Sequence, residues 1–209
     1  MKYQPSFTFA LSVIAAMMSQ PIQAIDFLAL EGGTGEESAE RIGIAAGWWW
    51  GRGWSLPVGL HLSGHWETSL SYWNGQEGRT GNNALVEGGF APVFRIHSKA
   101  KPLGITPFIE GAVGIHLMSE TELGDKDFDI PVAFGSHGGV GFRFGPQDHI
   151  ELGYRFQHLS NAGLGDPNPG INFHLLRLLY YFWLLSKICG QIWARVVRQV
   201  CDREQFLLF

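Results

Sequence analysis

The stretch that decides the fold of this 209-residue chain is Ile150-Glu151-Leu152-Gly153-Tyr154-Arg155-Phe156-Gln157-His158-Leu159-Ser160. Apolar and polar residues alternate along most of its length. Side chains of a β-strand point alternately to the two faces of a sheet. One face is therefore apolar and ends in the imidazole of His158 and the hydroxyl of Ser160. The other face carries the charged side chains of Glu151 and Arg155.

Seven further segments show the same alternation, separated by turn-forming residues. They cover residues 26–34, 41–50, 60–73, 84–97, 105–118, 132–144 and 171–182. Gly51-Arg52-Gly53 is expected to end the second segment, and Asn74-Gly75 to open a turn after the third. Segments of about ten residues with this pattern predict an all-β fold, an eight-stranded antiparallel transmembrane β-barrel of the outer-membrane type.

The polar faces of the predicted strands indicate a lumen filled by side chains. Opposite charges on these faces are expected to pair in the narrow interior: Glu67, Glu87, Glu110 and Glu151 with Arg95, Arg143, Arg155 and Arg177. The same faces carry His61, His65, His116 and His137, for which hydrogen bonding in the lumen is expected rather than metal binding. The alternative is a soluble, lipocalin-like barrel with the apolar face inside. Its outer surface would be unusually rich in glycine, histidine and serine.

The two ends of the chain differ from the barrel pattern. Residues 1–24 combine a basic start, a short apolar run and a small residue, Ala24, which is typical of a secretory signal peptide. Residues 25–182 form the predicted barrel. Residues 183–209 show apolar residues at helical spacing with basic residues opposite, which predicts an amphipathic helix or an added tail. Both cysteines, Cys189 and Cys201, lie in this tail, and the formal charge of −4 gives no indication of nucleic-acid binding.

The two polar residues that end the apolar face have a defined place in this barrel. If both ends of the barrel face the periplasm, residues 161–170 form an external loop. His158 and Ser160 then lie at the outer edge of the lipid-facing surface, and Asn172 faces the same way on the last strand. A proton acceptor beside a hydroxyl can activate it as a nucleophile. A site in this position meets substrates that lie in the outer leaflet.

The residues around this site resemble a known signature. His158-Leu159-Ser160-Asn161-Ala162-Gly163-Leu164, followed by Pro167-Asn168-Pro169-Gly170, is similar to the motif of the outer-membrane lipid A 3-O-deacylases. The resemblance implies an eight-stranded barrel in the outer membrane that removes the ester-linked acyl chain at position 3 of lipid A, without metal or cofactor. It also implies that Ser160 is the nucleophile and His158 the base, with Asn161 and Gly163 supporting the oxyanion.

The sequence departs from this motif at one position. The acidic member of the triad falls where this chain has Asn172. An asparagine can orient a histidine but cannot stabilise an imidazolium by charge. Either Asn172 orients His158, or a loop carboxylate such as Asp166 does so, or the enzyme is slow; the first is expected, with Asn172 as the third catalytic residue. His174 also faces outward and is expected to be an interfacial polar residue.

Two other functions remain compatible with the sequence. One is an outer-membrane phospholipase or acyltransferase that uses similar groups on another acyl donor. The other is a small, non-enzymatic barrel with a structural or adhesive role. The expected partner is lipopolysaccharide in the outer leaflet, and the sequence leaves the oligomeric state open, with a homodimer among the options.

Overall fold

A computed structural model describes residues 25–76 and 81–182; the predicted signal peptide and the 183–209 tail lie outside these residues. The described chain forms a closed antiparallel barrel of eight strands. The barrel strands are β1 (Phe27–Gly35), β2 (Glu40–Ser55), β3 (Leu60–Asn74), β4 (Ala84–Ser98), β5 (Thr106–Met118), β8 (Val132–Phe144), β9 (Ile150–Ser160) and β10 (Ile171–Tyr181). Each strand pairs with its neighbour, and β1 closes on β10 with Phe27 opposite Tyr181. The predicted eight-stranded barrel is confirmed.

Two features differ from the sequence-based prediction. Strand β2 continues through Gly51-Arg52-Gly53 to Ser55, because its register with β3 shifts between Trp49 and Gly53 and Gly51 adopts a φ of +69°. This glycine forms a bulge that the strand passes through, where an end was expected. A short hairpin that was not predicted, β6 (Glu122–Leu123) with β7 (Lys126–Asp127), lies in the connection between β5 and β8.

The connections differ between the two ends of the barrel. At one end β2–β3, β4–β5 and β8–β9 are joined by tight turns that contain three-residue 3-10 helices: Pro57–Gly59, Pro102–Gly104 and Pro146–Asp148. At the other end the longer connections include the β6–β7 hairpin and the β9–β10 loop. Outer-membrane barrels place short turns in the periplasm and longer loops outside. In the described ranges, no helix is long and apolar enough to cross a membrane.

The faces of the strands are oriented as predicted, with charges inside and apolar residues outside. Ile42 is 68% exposed and Leu176 65%, whereas Glu87 and Arg95 are fully buried. This excludes the lipocalin-like alternative. The lumen is closed at both ends by apolar residues, with Trp73 and Phe173 at the outer end and Phe27 and Tyr181 at the periplasmic end.

A chain of ion pairs connects these two apolar layers. Carboxylates and guanidinium groups alternate through salt bridges of 2.6–3.1 Å, in the order Glu87, Arg41, Glu31, Arg177, Glu67, Arg155, Glu110, Arg95 and Glu151. Glu31 and Arg41 are members that the sequence analysis did not include. Arg143, which it did include, forms no ion pair with any described residue and instead packs over the Tyr181 ring, 5.9 Å from its centroid.

The lumen histidines are dispersed along the barrel. The His116 Nδ1 atom lies 2.5 Å from Glu87 Oε1, and the fully buried ring of His65 packs against Trp49. The His61 ring packs against His97 at the periplasmic end. Within residues 25–76 and 81–182, no group of three or more His, Cys, Asp or Glu side chains is placed to hold a metal ion.

Candidate active site

The site lies where β9 ends and β10 begins, at the end of the barrel with the longer loops. Asn172 is directly opposite His158 in the antiparallel register. Strand alternation turns both side chains outward because their neighbours point into the lumen. Leu159, Ile171 and Phe173 are at most 1% exposed and belong to the apolar layer that closes the outer end. The packing of these neighbours therefore fixes the backbone that carries the polar residues.

The structure brings His158 and Asn172 into direct contact. The distance between His158 Nδ1 and Asn172 Oδ1 is 2.7 Å. An amide oxygen only accepts hydrogen bonds, so Nδ1 carries the proton in this contact. In the neutral ring the other nitrogen, Nε2, is then the unprotonated one, and it has no hydrogen-bond partner among the described residues. This is the tautomer in which a histidine can act as a base.

A carboxylate that the sequence analysis did not identify completes this arrangement. Glu36, in the 3-10 helix Glu36–Ser38 between β1 and β2, accepts a 2.5 Å hydrogen bond from Asn172 Nδ2. Its other oxygen accepts a 3.0 Å bond from Lys126 Nζ. These hydrogen bonds, first from Asn172 and then from Lys126, lower the pKa of the Glu36 carboxyl. Nothing in the sequence around Glu36 signals a partner 136 residues away.

Ser160 stands on the same face as His158, two residues further along β9. Successive strand residues rise about 3.3 Å, so roughly 7 Å separates their Cα atoms. The Ser160 hydroxyl makes no side-chain hydrogen bond within the described chain. A second hydroxyl lies near the ring, because exposed Ser136 of β8 is directly opposite His158. Residues directly opposite have Cβ atoms about 5 Å apart.

Asn161 and Gly163 are placed differently from the expectation that they support an oxyanion. The Asn161 side chain donates to the carbonyl oxygens of Phe128, Gly165 and Pro167 and accepts from the N–H of Gly163 at 2.9 Å. The Asn161 N–H donates to Asn168 Oδ1. The N–H groups of Asn161 and Gly163 thus already donate hydrogen bonds that stabilise the β9–β10 loop. The buried amide of Asn161 acts as the centre of the β9–β10 connection.

Asp166, the alternative partner for His158, does not approach the ring. It is exposed, and its backbone N–H donates to Asp129 Oδ2 at 3.2 Å. His174 faces outward as expected and lies opposite Phe156, and its Nδ1 atom is 2.6 Å from the Tyr154 hydroxyl. This contact pairs two polar groups on the lipid-facing surface.

The absence of a side chain at Gly170 leaves room for the His158 ring. A Cβ atom at Gly170 would lie 2.9 Å from His158 Cε1, and the residue has a φ of +59°. Gly170→Ala is therefore expected to displace the ring and to lower activity by about ten-fold or more, because small misplacements of a catalytic group are costly. Gly59→Ala is the control, because Gly59 has a φ of +76° with open space around it at the opposite end. Equal kcat values for the two folded variants would contradict this prediction.

Comparison with known proteins places the chain in one family. Residues 40–181 match the family model described as lipid A 3-O-deacylase (PagL). The chain is 34% identical over 170 residues to lipid A deacylase PagL of Pseudomonas aeruginosa, covering 79% of this chain and 93% of that protein. It is 33% identical over 116 residues to lipid A deacylase PagL of Bordetella bronchiseptica, covering 56% and 61% respectively.

A solved structure extends the comparison to the fold. The crystal structure of the outer membrane enzyme PagL superposes with a TM-score of 0.67 at 28% identity, covering 75% of this chain and 99% of that one. The family-model match over residues 40–181 includes the strands that carry His158, Ser160 and Asn172. This chain therefore belongs to the lipid A 3-O-deacylase family of outer-membrane β-barrel enzymes.

Proposed function

We propose that this protein removes the 3-O-linked β-hydroxyacyl chain of lipid A by a serine hydrolase mechanism, with Ser160 as nucleophile and His158 as base. The observation that carries the proposal is the outward-facing His158–Asn172 contact beside Ser160, at the outer edge of the lipid-facing surface. An acyl chain of an outer-leaflet lipid reaches this edge without entering the lumen. The lumen itself is filled by ion pairs and offers no path for such a chain.

The reaction proceeds in two halves. His158 Nε2 takes the proton from the Ser160 hydroxyl while Oγ attacks the ester carbonyl and forms a tetrahedral intermediate. The bond from the acyl carbon to the 3-oxygen of lipid A breaks, and His158 returns the proton to that oxygen. Water then attacks the acyl-serine with His158 again as base, which releases a β-hydroxy fatty acid and restores Ser160.

Each of the other groups has a separate task in this mechanism. Asn172 holds the Nδ1–H of His158 and thereby keeps Nε2 as the acceptor. The N–H of Ala162, two residues after Ser160, pairs with no described residue, and we assign stabilisation of the oxyanion to it. Asn161 contributes indirectly, because it holds the loop that presents this N–H. The mechanism uses neither a metal ion nor a cofactor.

Mass spectrometry of lipid A from cells that make the protein tests this function. We expect the loss of one β-hydroxyacyl chain from position 3 and the appearance of the corresponding free fatty acid. Purified protein incubated with phospholipid alone should leave it intact, which separates a lipid A deacylase from a phospholipase or acyltransferase. An unchanged acyl pattern from well-expressed, folded protein would refute the proposal.

A further inference from the structure

Glu36 reaches the candidate site from a loop near the start of the described chain. Its Oε1 atom accepts from Asn172 Nδ2, and Asn172 Oδ1 in turn contacts His158 Nδ1. These two contacts place one amide group between a carboxylate and the imidazole. We propose that Glu36 is a positioning residue for the catalytic histidine and supplies, through Asn172, the negative charge that Asn172 lacks. This inference rests on the proposed function.

The first argument concerns the orientation of the Asn172 amide. A carboxylate only accepts hydrogen bonds, so Glu36 requires the NH2 group of Asn172 on its own side. The amide oxygen is then held against His158, which must present a protonated Nδ1. A flipped amide would set its oxygen against the Glu36 carboxylate and its NH2 group against Nδ1, favouring the tautomer that cannot take a proton at Nε2. Glu36 thus selects the productive tautomer.

The second argument concerns charge. His158 becomes an imidazolium when it takes the proton from Ser160, and a neutral asparagine alone gives that cation no counter-charge. The Glu36 carboxylate lies one amide group away and polarises Asn172 Oδ1 toward the ring. Opposite charges at this range favour the protonated histidine.

Lys126 holds the carboxylate in place. Its Nζ atom donates to Glu36 Oε2 at 3.0 Å and to the carbonyl oxygen of Gly170 at 2.8 Å, and Gly170 in turn packs against the His158 ring. The ammonium group therefore engages one carboxylate oxygen and leaves Oε1 for Asn172. Three external connections meet at this point: the β1–β2 loop, the β6–β7 hairpin and the β9–β10 loop.

A double-mutant cycle tests the inference. In the wild-type background, Glu36→Gln is expected to lower kcat by about ten-fold or more with KM nearly unchanged. The substitution removes the negative charge, and it replaces a carboxylate, which only accepts hydrogen bonds and so fixes the orientation of the Asn172 amide. In the Asn172→Glu background a carboxylate already faces His158 and would repel Glu36, so Glu36→Gln should leave kcat unchanged or raise it. Glu36→Asp, which keeps the charge, should retain more activity than Glu36→Gln.

The cycle also identifies a purely structural role. If Glu36 only anchors its loop, Glu36→Gln will cost the same factor in both backgrounds, and this result would overturn the inference, as would an unchanged kcat in the wild-type background. Glu40→Gln, the same charge change at an exposed residue at the start of β2, is the matched control. Heat-dependent migration on gels confirms that each variant is folded.

Failure of this inference is distinguishable from failure of the proposed function. The rate of Ser160 labelling by a fluorophosphonate reports activation of the nucleophile without any lipid substrate. Labelling that falls in Glu36→Gln but not in Glu40→Gln supports the positioning role even if lipid A is not the substrate. Labelling and lipid A deacylation that both persist in Glu36→Gln remove Glu36 from the site and leave the proposed function intact.

Discussion

Ser160→Ala is expected to reduce the kcat for lipid A deacylation by about a thousand-fold or more. Removing the nucleophile of a serine hydrolase eliminates the covalent route and leaves only what binding and the oxyanion donors contribute. The half-buried Ser160 hydroxyl faces outward on the same strand face as His158 and makes no side-chain hydrogen bond within the described chain, so the variant should fold as the wild type does. Release of β-hydroxy fatty acid from purified lipopolysaccharide in detergent is the measurement.

Ser136→Ala is the matched control for this experiment. Ser136 lies directly opposite His158 on the neighbouring strand and faces the same way, so it is the other hydroxyl near the ring. We expect Ser136→Ala to retain activity within about three-fold of wild type, as for a surface position outside the mechanism. Loss of activity in Ser136→Ala with retention in Ser160→Ala would transfer the role of nucleophile to Ser136 and refute our assignment.

Arg95→Met is expected to lower the free energy of unfolding of the barrel by about 3–5 kcal/mol. Arg95 is fully buried, and its guanidinium group makes two hydrogen bonds to Glu151, two to Glu110 and one to the Tyr181 hydroxyl. Removing one partner of a buried ion pair leaves the other charge uncompensated, which is where this cost arises. Arg95 also lies 3.9 Å from the centroid of the Phe108 ring, a contact that methionine cannot replace electrostatically.

Arg52→Met provides the comparison for the buried position. Arg52 is exposed on the β2 bulge, so the same substitution there should change the free energy of unfolding by no more than about 0.5 kcal/mol. Urea unfolding in lipid bilayers, followed by the loss of heat-dependent migration on gels, measures both variants. Equal midpoints for Arg95→Met and Arg52→Met would show that the lumen ion pairs add little to stability.

The sequence by itself determined the architecture, because alternation with a period of two is a local property. Strand positions, the inward direction of residues such as Glu67 and Arg155, and the outward direction of His158, Ser160 and Asn172 all follow from which residues share a strand face. The motif from His158 to Gly170 further indicated the family, and it predicts Ser160 as the nucleophile. Closing the sheet into a barrel does not change the face on which a side chain lies, so the tertiary structure keeps these directions.

Interactions between distant strands and loops could not be predicted in this way. Gly51-Arg52-Gly53 has the composition of a turn, yet pairing with β3 carries the strand through it as a bulge. Glu31 enters the ion-pair chain because barrel closure pairs β1 with β10, which brings Arg177 beside it. Arg41 enters because it bridges Glu31 and Glu87 of β4 inside the lumen. The same composition fits several pairings, and the geometry of closure selects one.

The candidate site shows this division most clearly. The sequence placed His158, Ser160 and Asn172 together, but it assigned Asn161 and Gly163 to the oxyanion and offered Asp166 as the missing acid. Only the folded loops show that the Asn161 amide is used internally and that the Asp166 side chain forms no hydrogen bond or ion pair with His158. The carboxylate beside Asn172 is Glu36. Hydrogen bonds between external loops depend on how those loops pack over the end of the barrel, and no local pattern in the sequence encodes that packing.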